Sequence, residues 1–233
     1  MIQLTGRFVP IKLNAEKDGE TVARKYEVRG FPTILFIDPE LFDTETGGVV
    51  GRIRGYLPPV PFSEQLQSIA QAQQDFPALL ERLKVNKNDL EAISGLVVIH
   101  HMRQENAKAS DLLETGLKID PENAQGFLTK ALNAVADTYQ EASEFDKAIV
   151  LFKKAAQSGK KTSEIAYAKE SIAACYMSQG KIPEAATELN AVLLLPGLSE
   201  QDQRQARSLQ AAVQDVLKRD KNQTEKTQPS DDM

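Results

Sequence analysis

The chain has 233 residues, 41% of them hydrophobic, and at about 150 residues per domain this length suits one small unit plus an extension and excludes a large catalytic barrel. Lys and Arg (28) against Asp and Glu (33) leave a net charge of −5, so no nucleic-acid partner is expected, and no stretch approaches the roughly 20 apolar residues that cross a bilayer. The single cysteine, Cys175, excludes an internal disulfide or a two-cysteine redox centre within these residues.

Residues 1–62 hold 7 Gly and 6 Pro, whereas the remaining 171 hold 6 and 5, so two kinds of structure share the chain. Residues 8–13 and 33–38 are β-branched and aromatic runs, and residues 49–54 alternate Val50, Arg52 and Arg54 against Val49, Gly51 and Ile53, which predicts three strands. Between the first two, residues 19–26 suit a two-turn helix with Val22, Ala23 and Tyr26 on one side. Residues 39–48 supply a hairpin loop. Then Phe62, Leu66, Ile69 and Ala70 form the stripe of a helix started by Ser63 as N-cap, and it covers one face of the sheet. The order is strand, helix, strand, hairpin, strand, helix, an α/β unit over residues 1–73.

From residue 74 the pattern is helical and self-similar. Phe145, Ala148, Ile149, Phe152, Ala155 and Ala156 share their offsets with Ile182, Ala185, Ala186, Leu189, Val192 and Leu193, a shift of 37 residues. A weaker copy runs through Asn106, Ala109, Ser110, Leu113, Gly116 and Leu117, 39 residues upstream, and Phe76, Leu79, Leu80 and Leu83 repeat the first offsets again. Residues 90–102, 125–139 and 163–177 supply a preceding amphipathic helix each, so three helical hairpins stack. A last helix starts at Ser199, where Ser199 and Asp202 form a capping box, and its stripe of Ala206, Leu209, Val213, Val216 and Leu217 closes an all-α solenoid over residues 74–217. Residues 218–233 have little to bury and are expected to be a disordered charged tail.

On Val28-Arg29-Gly30-Phe31-Pro32-Thr33, the order of elements, and Gly55-Tyr56 after the last strand, residues 8–69 resemble the C-terminal two-thirds of a thioredoxin-fold domain. The resemblance implies a cis Pro32 and a peptide-docking loop of Gly30, Phe31, Pro32 and Thr33, in which the peptide group of Phe31 pairs with an extended substrate. The chain departs from that family because the upstream strand and its Cys-x-x-Cys are missing, which leaves strand edges exposed. Those edges are a candidate for self-association, and a longer parent with its cysteines upstream of Met1 is the expectation that follows.

On Ala109, Ala148 and Ala185 as small residues where helices approach, Tyr139 and Tyr176 as large ones, and Pro121 as a closing proline, the helical part resembles tetratricopeptide repeats. That resemblance implies a protein or peptide partner on the face of the first helices. Carried over by position, the face presents Glu91, Ser94, Val98 and His101, then Lys130, Asn133, Asp137 and Gln140, then Tyr167, Glu170, Ala174 and Met177. The groove candidates are His101, Lys130, Asn133, Asp137, Tyr167 and Glu170. The Lys and Asn set that grips a C-terminal carboxylate in some members is not reproduced.

Cys175 sits mid-helix with no basic neighbour and reads as a packed thiol. His100 and His101 point about 100° apart on a helix and have no companions, so no metal is expected, and no nucleotide loop or cofactor motif occurs. Gly47-Gly48-Val49-Val50-Gly51 is turn chemistry. Residues 1 onward carry no signal-peptide pattern, so the chain as given reads as soluble and cytoplasmic. The favoured reading is a non-catalytic interaction scaffold. The competing one is the C-terminal part of a thiol-disulfide oxidoreductase or thioredoxin-like chaperone.

Overall fold

The computed structural model describes residues 8–42 and 47–227, and side chains as far as Lys218. The protein is mostly helical, with one two-stranded antiparallel sheet near the start. It divides into two compact units, up to Ala109 and from Ser110.

In the first unit, α1 (Glu20–Lys25) leads to β1 (Thr33–Ile37), a 3-10 turn (Pro39–Leu41) and β2 (Val49–Arg54). β1 and β2 pair with Ile34 opposite Ile53 and Phe36 opposite Gly51, and the register slips at Phe36/Ile37. Phe36, Val50, Ile53, Leu66 and Ile69 form the core, with Phe8, Leu41, Leu57 and Phe62 packed around it. Gly51 is required there: a Cβ on it would lie 2.8 Å from the Ile69 side chain, so the helix rests directly on the strand.

Residues 8–13 are not a strand, contrary to expectation. Val9 and Ile11 are 88% and 78% exposed, and β1 pairs only with β2 among the described residues, so this run has the composition of a strand without a ladder to join. The hairpin loop expected at residues 39–48 opens with the 3-10 turn, and its residues 43–46 lie outside the described residues.

The covering helix, α2, spans Pro59–Val85. It starts before Ser63, after Pro58, because a proline in the first turn lacks only an N–H that has no partner there in any case. It also runs through the boundary expected at residues 73 and 74, carrying Leu66 and Ile69 under the sheet and Leu79 against Gly95 of α3 (Leu90–Met102). Pro77 lies inside it and cannot donate to the carbonyl of Gln73. At that turn the buried Arg103 guanidinium lies 3.8 Å over the Phe76 ring and donates to Gln73 Oε1 at 2.7 Å. The loop from α2 to α3 is held by Arg82, which bonds both oxygens of Asp89 at 3.0 Å, while Asp89 caps α3 through the Ala92 N–H.

Helix α4 (Asn106–Ile119) spans the division, with Ala109 and Leu113 buried. In the second unit α5 (Thr129–Glu141), α6 (Phe145–Ser158), α7 (Thr162–Ser178), α8 (Ile182–Leu193) and α9 (Glu200–Thr227) pack each against the next. Helix α5 begins at Thr129 and not near Gln125, because residues 120–128 form a capped turn: the Asp120 carboxylate accepts from the N–H groups of Ala124 and Gln125, and Asn123 Oδ1 from that of Leu128. Ala148 and Ala185 are fully buried. Ser199 caps α9, its Oγ accepting from the Asp202 N–H at 3.1 Å, while its hydroxyl donates to Asp202 Oδ2 at 2.7 Å and not through the reciprocal backbone bond expected of a capping box; α9 buries Ala206 and Val213, with Leu209 and Leu217 packed beside them. Helix α9 continues to Thr227, into the expected tail, since its Lys, Gln, Arg and Glu residues are good helix formers and no Gly or Pro intervenes; residues 228–233 lie outside the described residues. No described helix is long and apolar enough to cross a membrane.

Candidate functional site

The two sets of candidates fall in different places. In the first unit the loop 28–33 is held by the Thr33 hydroxyl donating to Gly30 O at 2.7 Å and the Gly55 N–H to Pro32 O at 2.8 Å, and just before it Arg52 Nη2 donates to Tyr26 O at 2.6 Å. The Phe31–Pro32 peptide is cis, Phe31 is 66% exposed, and a Cβ on Gly30 would meet nothing. The loop therefore presents an aromatic ring at the start of β1, whose other edge has no strand partner among the described residues. His101 is also in this unit, on α3, half-buried, and so is described apart from the other groove candidates. His100, beside it, bonds Glu105 Oε2 through Nδ1 at 2.6 Å and meets the Phe76 ring edge-on.

In the second unit α5 and α7 share a polar face. The turns of α5 carry Lys130, Asn133 and Asp137, and those of α7 carry Tyr167 and Glu170. Tyr167 donates its hydroxyl proton to Asp137 Oδ1 at 2.8 Å. One turn earlier on α5, Asn133 Nδ2 donates to the backbone carbonyl of Glu164 at 3.3 Å, so two polar rungs join the helices. Asn133 is thus 7% exposed and part of the seam, whereas Lys130 is exposed. On the far side of α7, Gln205 of α9 donates to Glu170 Oε2 at 2.7 Å.

The electrostatics are set by enclosure. Burial raises the Asp137 carboxyl to about 7, with Glu141 adding to the rise and the Tyr167 hydroxyl opposing it. The Tyr167 phenol is likewise pushed up, by burial of its hydroxyl end and then by Asp137. Burial also raises Glu170, against the bond from Gln205 and with help from Asp202. Burial, and then Asp137, moves the Cys175 thiol up to about 11, so this enclosed cysteine is no thiolate at neutral pH. The carboxyls of this arrangement accept hydrogen bonds, and its one thiol, Cys175, is not activated.

Sequence reasoning found Asp137, Tyr167 and Glu170 singly and missed their partners. Glu141 lies one helical turn past Asp137 and was within reach of a periodicity argument. Gln205 was not, because its bond depends on how α9 docks. Among the described residues no group of three His, Cys, Asp or Glu side chains could hold a metal ion. No protein-family model matches the chain, and no curated protein matches it at a significant level.

Proposed function

We propose that the chain is a protein-interaction scaffold, non-catalytic as given, in which tetratricopeptide-like hairpins hold a segment of a partner protein on the face shared by α5 and α7. The observation that carries this reading is the Asp137–Tyr167 pair: a half-exposed aromatic and an enclosed carboxyl, joined across two helices that are themselves locked by buried alanines. Polar groups held that rigidly lose little entropy when a ligand arrives. Panning a random peptide library on the full chain and repeating it with Tyr167→Ala tests the reading. Peptides retained by the first and lost by the second support it; no enrichment on either overturns it.

A second reading rests on the first unit. Phe31 stands exposed beside a β1 edge that has no partner among the described residues, which favours strand addition by an extended polypeptide and agrees with the thioredoxin-like resemblance. Redox chemistry on such a docked chain would need cysteines other than Cys175. An extended chain with a Cys-x-x-Cys that reduces an insulin-type disulfide would favour this reading.

A further inference from the structure

The outer edge of β1 carries backbone groups that no described residue bonds. At one end of the strand the Gly55 N–H donates to Pro32 O at 2.8 Å, and at the other the Asp38 N–H donates to Gly48 O at 2.9 Å. Bonding direction alternates along an antiparallel strand, so Pro32, Ile34, Phe36 and Asp38 face β2, while Thr33, Leu35 and Ile37 turn their N–H and C=O groups the other way. Nothing described meets them there. Phe8 meets Phe36 in the core on the α2 side and forms no ladder with the strand.

Open edges are ordinarily blunted by a charged side chain, a proline or a bulge, and β1 has none of these. Its residues Thr33-Ile34-Leu35-Phe36-Ile37 are uncharged, and the extra residue at the register slip, Val50, belongs to β2. Ile34 and Ile37 are 37% and 39% exposed.

We propose that this edge pairs with the β1 of a second copy, antiparallel about a twofold axis at Leu35, and so joins two hairpins into one four-stranded sheet. The phase of the strand fits that partner. With Leu35 opposite Leu35, Thr33 of each copy lies opposite Ile37 of the other, and all of these residues turn their free groups outward, so every N–H meets a C=O. A register moved by one residue would set outward-turned groups against inward-turned ones. Ile34 of each copy then lies beside Phe36 of the other on the α2 face. Charge agrees: β1 follows Arg29 and precedes Asp38 and Glu40, so antiparallel pairing brings the basic end of each strand to the acidic end of the other, whereas parallel pairing sets like beside like. Arg29 and Glu40 are exposed, and the contact of Arg29 with Glu27, at 3.8 Å, is loose. This inference goes beyond the scaffold reading and does not depend on the face of α5 and α7.

A strand of five residues makes a small interface, so the dimer is expected to form on the order of tens of micromolar. Sedimentation equilibrium of the full chain should show a mass that rises with concentration from 25.7 kDa towards twice that value. Leu35→Pro removes an outward N–H without removing a bond to β2, and is expected to weaken association about tenfold or more. Leu35→Cys, alone on the axis, should form an intermolecular disulfide on mild oxidation, since opposite residues there lie about 5.5 Å apart. Thr33→Cys should not, because the two copies of that residue are four positions apart along the strands, about 13 Å. The buried Cys175 stays out of the reaction. If Leu35→Pro fails to fold, the pair of cysteine variants decides. A chain that remains a monomer throughout, or a Thr33→Cys that crosslinks as readily as Leu35→Cys, overturns the proposal. A monomer whose β1 edge takes up an extended polypeptide of other sequence also overturns it, and gives the edge to the second reading above; peptide panning against Tyr167→Ala is decided separately.

Discussion

Tyr167 and Asp137, 30 residues apart, meet at 2.8 Å and make one rung between α5 and α7. Burial of that carboxyl, against the bond from Tyr167, makes it a group that stays protonated to higher pH in the folded chain. The native state holds that proton up to about pH 7, whereas an unfolded aspartate releases it near pH 4. The native state therefore binds more protons in between, and this group's contribution to stability falls as pH rises through that window and is flat above it. Urea midpoints of wild type and Asp137→Asn should diverge across this range, with the variant gaining relative stability towards high pH.

At the α2–α3 loop the sign is opposite. The Ala92 N–H and then Arg82 hold the Asp89 carboxyl below the usual aspartate range. The native state releases that proton more readily, so the stabilisation is present above the unfolded value and is lost as pH falls through the folded one. Asp89→Ala also removes the cap of α3 and should cost about 1 kcal/mol at neutral pH, read from a denaturant midpoint.

Ala148 is fully buried where α6 meets its neighbours. Ala148→Leu should therefore overpack the seam and cost about 1–3 kcal/mol, whereas Val150→Ala, a change at a side chain 63% exposed on the same helix, should be near neutral.

Cys175, buried and with its thiol moved to about 11, should react with a disulfide reagent only as fast as the second unit opens. Labelling that is immediate in the native protein, at a rate set by reagent concentration alone, would show the packing to be wrong.

Much of this was readable from the residues in order. The stripe Ala206, Leu209, Val213 and Leu217 is periodic along one helix, and the Ser199 cap of the Asp202 N–H is local in sequence, so both are found where they were expected. Residues 8–13 show the limit: strand composition records a preference, while a strand exists only where a neighbour supplies the other half of each hydrogen bond. The start of α5 shows another. Asp120 and Asn123 spend their side chains on a turn, which moves the helix start to Thr129, and no periodicity reports that. The site divides the same way, since Asp137 and Tyr167 each lie on a predictable face, while the bonds of Asn133 to Glu164 and of Glu170 to Gln205 depend on how helices distant in sequence come to lie together.

Helix α2, at 27 residues, is a beam about 40 Å long that carries the sheet near one end and α3 near the other. A beam bends at its weakest section, and the missing bond at Pro77 defines that section. Arg103 reaches it from the end of α3, gripping Gln73 on one side and lying over Phe76 on the other, and so works as a splint across the fracture line. A load applied at the sheet is thereby passed to α3, and the stiffness of the first unit as a lever depends on one side chain far from either end.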